Sequence, residues 1–247
     1  MQACYNESLQ KLQAGVLKDL KSKCIVVYDT ETTGLKVGSV DQVVELGAIC
    51  FHTGQVFEQL ITLNFLQFHD YTGEFTGITP DMLRSPAVPS ASTVVSGTET
   101  KMVPVSSMQD TLTQFLQWLK EQCREDDDEV ILIAHNNHRF DMVAMERHLA
   151  ECKLDPQAVL GKRKLSYADS LAALRRESAG IVRSKYWPKP SLTLSALLNR
   201  PEIKLHRALA DCQALVVVLF ERFKPNVWQY MWEGRVPSKL SASSNKA

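Results

Sequence analysis

The sequence predicts an α/β fold in which one mixed sheet of five strands is flanked by helices. Two observations lead to this prediction. Short apolar runs rich in β-branched residues, typical of buried strands, occur among longer stretches in which apolar residues recur at helical spacing. Three strand patterns come first, and afterwards strand and helix patterns alternate. We therefore expect a mixed sheet with helices packed against it.

The five strands are predicted in order along the chain. Residues 24–29 form an apolar run that ends in Asp29, which is typical of a strand buried on both faces. Residues 42–51 and 55–65 are the next two strands, and the turn residues 52–54 between them predict a hairpin. The fourth and fifth strands are residues 130–134 and 164–168.

Apolar residues at helical spacing predict the helices. The segment that begins at Ile78 favours a short helix with Thr79 as the N-cap and Pro80 at the first position. Residues 85–107 are rich in Ser, Thr, Pro and Val and predict a long loop. The helices are predicted at residues 5–22, 78–83, 107–123, 140–152, 170–176, 192–198 and 208–223, followed by an aromatic packing segment at 228–232 and a tail at 236–247.

Composition and charge limit the class of protein. The chain has 247 residues, of which 45% are hydrophobic and 23% charged, with a formal net charge of zero. A zero net charge argues against a large basic surface for long duplex nucleic acid. None of the six cysteines forms a CxxC pair, so we expect reduced thiols. Without a signal-peptide core or a run of roughly 18 apolar residues, the predicted location is cytoplasmic, with the nucleus as an alternative and no membrane partner.

The first candidate motif is Asp29-Thr-Glu31, at the end of the first predicted strand. Residues two apart on a strand point to one face, so the two carboxylates lie side by side at the edge of the sheet. Neighbouring carboxylates repel each other unless a cation joins them, and hard oxygen ligands suit Mg²⁺ or Mn²⁺. Taken alone, the pair is more simply explained as an acidic strand end in a solvated turn.

The second candidate is Asp141, which follows the fourth strand and a polar turn and begins a helix. An acid in the first turn is favoured by the helix dipole, which is the simpler explanation for Asp141 alone. Asn136 directly after the strand, and Phe140 beside the acid, are less usual in such a turn.

The third candidate is His206-Arg-Ala-Leu-Ala-Asp211. Asp211 lies in an apolar run that predicts a buried helix face, where an uncompensated carboxylate is costly unless a metal ion or another cation is present. Residues five apart on a helix lie about 140° apart, so we place His206 just before the helix, reaching over the site. An imidazole there can take a proton from water, although a lone histidine is more often structural.

Together, Asp-x-Glu, Asn-x-x-x-x-Asp and His-x-x-x-x-Asp, in this order, resemble the pattern of the DEDDh exonucleases, the DnaQ-like branch of the ribonuclease-H-like superfamily. The resemblance covers residues 24–223, and the three-part match is highly specific. Within that family the sequence looks most similar to the three-prime repair exonucleases (TREX) and to the exonuclease-like region of the promyelocytic leukaemia protein. This narrower resemblance rests on residues 29–35, 75–79, 134–141, 167–174 and 190–194.

The resemblance implies a ribonuclease-H-like fold and a metal-dependent 3′→5′ exonuclease that releases nucleoside 5′-monophosphates from DNA, RNA or both. We divide the chain accordingly into an N-terminal helical extension at 1–22, an exonuclease domain at 23–224 and a C-terminal packing segment and tail at 225–247.

The resemblance also implies roles for five catalytic residues. Asp29, Glu31 and Asp211 would hold the first of two Mg²⁺ ions, which Mn²⁺ can replace, and Asp29 would also reach the second ion. Asp141 would act on the metal site through a bound water. His206 would deprotonate the attacking water. In this type of site the two ions clamp the attacking and leaving oxygens of an in-line displacement.

Further residues would hold the strand end. Leu35 looks like the apolar wedge between the terminal bases, and Ile78 like its partner under the terminal nucleotide, with core packing as the alternative for each. Thr30 and Thr32 would contact the 3′ hydroxyl. Asn136 would orient the loop or the nucleotide.

The predicted partners are nucleic-acid 3′ ends, either single-stranded or frayed DNA or structured RNA. Residues 162–189 contain eight basic residues and only two acidic ones, so this segment is a candidate phosphate track with Tyr186 available for stacking. A solvated basic surface is an equal alternative, and a homodimer stays open. A catalytically inactive nucleic-acid-binding or scaffolding relative, and a ribonuclease-H-type endonuclease, are the competing functions.

Overall fold

The computed structural model describes residues 2–14, 23–63, 70–89, 102–126, 128–181, 192–199 and 205–240. One sheet of eight strands forms its centre: β1 (Lys23–Thr32), β2 (Val43–Cys50), β3 (Val56–Ile61), β4 (Ala87–Pro89), β5 (Met102–Ser106), β6 (Glu129–Ala134), β7 (Lys164–Asp169) and β8 (Val236–Pro237). Their order across the sheet is β4-β5-β3-β2-β1-β6-β7-β8. The first three strands are antiparallel neighbours, whereas β1, β6 and β7 are parallel, which confirms the predicted mixed sheet.

Nine helices surround the sheet in the described ranges: α1 (Gln2–Ala14), α2 (Asp70–Thr76), α3 (Met108–Gln122), α4 (Asp141–Glu151), α5 (Pro156–Leu160), α6 (Ser170–Ile181), α7 (Leu194–Leu198), α8 (Ala208–Arg222) and α9 (Pro225–Glu233). None of the helices in this part of the chain is long and apolar enough to cross a membrane.

Alternation along β1 explains how the two helical layers are held. Ile25 and Val27 face a core that α8 fills together with α1, α6 and α9. Val26 and Tyr28 face the opposite core, which α3, α4 and α5 fill. Because successive side chains of a strand point to opposite faces, a strand that is apolar throughout must be covered on both sides. Both cores therefore position the end of β1, where Asp29 and Glu31 lie.

Several elements differ from the prediction. The count of five strands is too low, because β4, β5 and β8 extend the edges of the sheet. β4 and β5 lie within the predicted loop 85–107, and β8 lies within the predicted tail. The helix predicted at 78–83 is a 3₁₀ turn at Met82–Arg84, and the Thr79 hydroxyl accepts a hydrogen bond from the Met82 amide, as an N-cap would.

Helix bounds differ as well. α2 and α5 are short helices that the sequence pattern did not reveal, and the aromatic segment belongs to the longer α9. Residues 15–22 of the first predicted helix lie outside the described residues. The described helix α1 contributes Tyr5, Leu9 and Leu12 to the same core as α8. The division of the chain into three domains stays a prediction.

Candidate active site

The predicted acids meet where the parallel strands β1 and β6 end. Asp29 and Glu31 lie near the end of β1, Asp141 is the first residue of α4, and Asp211 lies in the first turn of α8. Asp29, Glu31 and Asp211 each offer one carboxylate oxygen, and these three oxygens lie within 4.8 Å of one another. In the parts of the chain that the structure describes, no other group of His, Cys, Asp or Glu meets this condition.

Asp141 is joined to the same strand by hydrogen bonds. Its Oδ1 accepts from the Thr30 amide at 3.1 Å and from the Thr30 hydroxyl at 2.8 Å. Thr30, predicted to contact substrate, lines the site but is itself buried, and its hydroxyl is used to orient Asp141. The fourth acid therefore lies beside the other three.

Burial makes the four carboxyl groups hard to ionise without a cation. Burial, followed by the charges of the neighbouring acids, raises the pKa of Asp29 and of Glu31 well above the ordinary range. Burial also raises the pKa of Asp141 and of Asp211 to about 7, although the hydrogen bonds from Thr30 and His206 act in the opposite direction. Clustered hard oxygen ligands of this kind fit a divalent cation, which would stabilise their ionised forms.

His206 lies just before α8, as predicted from its spacing to Asp211. Its backbone is in the left-handed region, with φ of 73°. The His206 amide donates to both oxygens of Asp211, at 3.1 and 3.2 Å. Its ring meets the Phe75 ring edge-on, with 5.5 Å between the centroids. His206 and Asp211 line the same two cavities together with Asp29.

The first cavity has a volume of about 330 Å³ and contains most of the predicted contacts to a strand end. Thr32, Leu35 and Asn136 line it beside the acids. Leu35 is 78% exposed, so its side chain is not core packing. The exposed apolar side chain and the carboxylates therefore line one opening.

Ile78 does not belong to this cavity, which corrects the prediction. It is fully buried in a separate apolar cluster with Val44, Leu60 and Leu83. Phe75, three residues earlier, lines the cavity instead and is 48% exposed. Both residues occur in the segment that supported the resemblance, and only burial could tell which of them faces the site.

Leu35 lies on a turn that is anchored from both sides. A carboxylate oxygen of Asp41 accepts from the Lys36 amide at 2.6 Å, and the Arg147 guanidinium on α4 donates to the backbone carbonyls of Val37, at 2.8 Å, and Asp41. A side chain at Gly34 would meet the Asp41 carboxylate at 2.6 Å, so this carboxylate would have to move and its hydrogen bond from the Lys36 amide would be disturbed. These contacts fix the position from which Leu35 projects.

Asp169 holds the turn after β6 beside the site, and no sequence pattern identified it. Its carboxylate accepts from the amides of Asn136 at 3.2 Å and His138 at 3.1 Å, and from two amides at the start of α6. Asn136 has φ of 70°, and the hydrogen bond from its amide to Asp169 holds this left-handed turn after β6. His135 lines both cavities, and its two ring nitrogens lie 2.9 Å from Ser170 Oγ and 2.7 Å from the Leu192 carbonyl.

The second cavity, of about 410 Å³, adjoins the first and extends past α7. Arg175, one of the basic residues of the candidate phosphate track, lines it, and the track itself stays a prediction. Two other basic residues of residues 162–189 are engaged elsewhere, because Arg163 pairs with Asp126 and Arg176 with Glu233, each at 2.8 Å. Tyr186 lies outside the described residues.

Solved structures share this fold. E. coli exonuclease I in complex with a dT13 oligonucleotide has a TM-score of 0.62 and 19% identity, covering 85% of this chain and 43% of that chain. The zinc-bound form of the E. coli exonuclease I complex with single-stranded DNA has a TM-score of 0.61 and 18% identity, covering 86% and 43%. The chain thus spans less than half the length of these structures, and the likeness shows the fold.

No curated protein sequence matches the chain. The family model RNase T, described as exonuclease, matches residues 26–219, which is well over half of the chain. That range includes all four acids and His206. The chain therefore belongs to this exonuclease family, and its three-part motif is that of the DEDDh type of 3′→5′ exonuclease.

Proposed function

We propose that this protein removes nucleoside 5′-monophosphates one at a time from the 3′ ends of single-stranded or frayed nucleic acid, with two Mg²⁺ ions as cofactor. The observation that supports it most is the group of three carboxylates within 4.8 Å, with His206 bordering the same cavity. When bound, the two ions would supply a nucleophile at neutral pH and neutralise charge on the leaving oxygen.

The residues of the chain would divide the remaining work. Asp29, Glu31 and Asp211 would hold the cofactor, and Asp141 would complete the site from α4. His206 would take the proton of the attacking water, because it lines the same cavity as the carboxylates. A group that accepts this proton while the phosphodiester is attacked acts as a general base.

The first cavity would receive the terminal nucleotide. Leu35 and Phe75 both line it and are exposed, so they provide two apolar surfaces for the terminal base. Stacking on such side chains tolerates any base, because every base has a π-face. The exonuclease I structures contain single-stranded oligonucleotides, which supports DNA as a substrate here, and structured RNA is the second substrate to test.

The decisive experiment uses 5′-labelled single-stranded DNA and 5′-labelled RNA hairpins with 3′ overhangs. Each is incubated with Mg²⁺, with EDTA, and with the Asp211→Asn variant. We expect a one-nucleotide ladder that shortens from the 3′ end, and a loss of at least about 100-fold in the variant because a direct ligand is removed. Asp81→Asn, the same change at an exposed ion pair with Arg84, serves as the matched control and should keep full activity.

Other outcomes separate the competing functions. Internal fragments instead of a ladder would indicate an endonuclease. Binding of the labelled strands without cleavage, by folded protein in Mg²⁺ or Mn²⁺, would indicate an inactive nucleic-acid-binding relative. The ratio of rates on the two substrates decides between DNA and RNA, and gel filtration of the same protein tests the homodimer.

A further inference from the structure

Glu45 is a buried carboxylate beside the acidic cluster that none of the predicted roles includes. It lies on β2 directly opposite Glu31 of β1, and opposite residues of antiparallel strands share a face. Only 1% of Glu45 is exposed. A fifth carboxylate at this place would add repulsion to an already acidic site unless a cation compensates it.

Arg207 is that cation, and it follows His206 directly. The Arg207 Nε donates to both oxygens of Glu45, at 3.1 and 3.0 Å, and its Nη2 donates to Oε1 at 2.6 Å. The second oxygen of Glu45 also accepts from the Ala208 amide, at 2.9 Å. Glu45 therefore binds both the Arg207 side chain and the first amide of α8. Arg207 is the N-cap residue of α8, and its own side chain does not cap the helix.

Hydrogen bonds restrain the backbone on both sides of His206. On one side its amide is bound to Asp211, and on the other side Arg207 and Ala208 are bound to Glu45. A left-handed backbone is unfavourable for a residue with a side chain, so His206 needs such restraints to stay in it. The restraints hold the imidazole at the cavity from a segment that belongs to no helix.

Electrostatics agree with this geometry. The ion pair between Arg207 and Glu45 has no net formal charge, so it joins the segment before α8 to β2 without changing the formal net charge beside the acidic cluster.

We propose that Glu45 is a positioning residue for the reaction: through Arg207 and the Ala208 amide it holds the backbone before α8 so that His206 reaches the attacking water. This inference rests on the proposed function, because His206 is a base only in an enzyme that hydrolyses strand ends. Glu45 itself would touch neither substrate nor cofactor.

A double-mutant cycle tests the proposal. Wild type, Glu45→Gln, His206→Ala and the double variant are compared on 5′-labelled single-stranded DNA in saturating Mg²⁺. We expect Glu45→Gln to lower kcat by about 100-fold, as a misplaced catalytic group does, and to leave KM nearly unchanged. In the His206→Ala background, Glu45→Gln should cause no further decrease, because both changes remove the same contribution.

Glu129→Gln is the matched control for stability. Glu129 is a partly buried carboxylate that pairs with Lys23 at 2.6 Å and with Arg235 at 2.9 Å. It is the first residue of β6, whereas the acidic cluster lies at the opposite end of that strand. This variant should lower the melting temperature and leave kcat unchanged. If Glu45→Gln does not fold, Arg207→Gln tests the same link from the other partner, and Arg207→Lys should restore part of kcat.

Two results would overturn the inference while wild-type activity stands. One is a Glu45→Gln variant with wild-type kcat. The other is an equal decrease in the presence and absence of His206, which would mean that Glu45 acts on the acids or on the fold. A wild-type protein without activity on any 3′ end would instead overturn the proposed function.

Discussion

At the scale of single residues, burial distinguishes the side chains that can contact the end of a nucleic-acid strand from those that pack in the core. Leu35 and Phe75 expose 78% and 48% of their surface and line one cavity, whereas Ile78 exposes none. Thr30 is buried, and its hydroxyl donates a hydrogen bond to Asp141. Apolar character in a motif therefore does not identify a substrate contact, because the same side chain is equally suited to packing.

The first prediction compares two alanine variants. Phe75→Ala should weaken binding of single-stranded DNA by about 1–3 kcal/mol, seen as a higher KM, because it removes a stacking surface. Ile78→Ala should instead lower the free energy of unfolding by about 2–5 kcal/mol, since it leaves a cavity in a packed cluster. Steady-state kinetics and urea unfolding of both variants measure these effects. An unchanged KM in Phe75→Ala would remove this residue from the substrate site.

At the scale of elements, the site depends on how closely α8 approaches β2. Gly47 lies two residues after Glu45, on the same face of β2, and a side chain there would meet Ala208 C and Leu209 N at 2.6 Å. The Gly47 carbonyl also lies 3.4 Å from Cys212 Sγ. The first turn of α8, which contains Asp211, therefore rests directly on the backbone of the strand.

The second prediction follows from this contact. Gly47→Ala must push the start of α8 outward, and we expect a loss of about 1–3 kcal/mol in stability, as overpacking usually causes. Activity should fall as well, because Asp211 and His206 move with the helix. Gly38→Ala is the matched control, since its new side chain would meet only Val143 Cγ1, at 3.4 Å. Equal activity and equal melting temperature in the two variants would contradict the proposed dependence on this contact.

Element by element, the sequence predicts what local pattern determines. Apolar runs and helical spacing were sufficient for β1, β6 and α8, and hence for the ends at which the acids lie. The short helix α2 was missed because Asp70–Thr76 contains a glycine and no apolar repeat, and β8 because it has only two residues. The contacts of Glu45 and Asp169 could not be predicted, because their partners lie in other elements of the fold and no local pattern reports them.

At the scale of the whole molecule, folding brings the acids into a place where their ionised forms are costly. The pKa of Asp141 and of Asp211 rises from an ordinary value of 3.8 to about 7, mainly by burial. The neutral forms of these groups are therefore favoured on folding relative to the unfolded chain. The net charge of the whole chain is zero and therefore gives no indication of this local accumulation of acids.

The last prediction concerns the stability of the metal-free protein. When the folded pKa exceeds the unfolded pKa, the folded state binds more protons, so stability falls as pH rises between the two values. For Asp141 and Asp211 this contribution is fully present below 3.8 and is lost as the pH passes about 7. In EDTA the melting temperature should therefore decrease from pH 5 to pH 8, and Mg²⁺ should offset most of the decrease at pH 8, because it binds the ionised acids of the folded state.

Variants assign this decrease to the site. Asp211→Asn removes one of the shifted groups, so its melting temperature in EDTA should depend less on pH than that of the wild type. Asp81→Asn changes an exposed acid outside the cluster and should keep the wild-type dependence. A decrease of equal size in wild type and Asp211→Asn would show that ionisation of Asp211 does not cause the loss of stability. A melting temperature at pH 8 that Mg²⁺ does not raise would show that these carboxylates do not bind the metal ion.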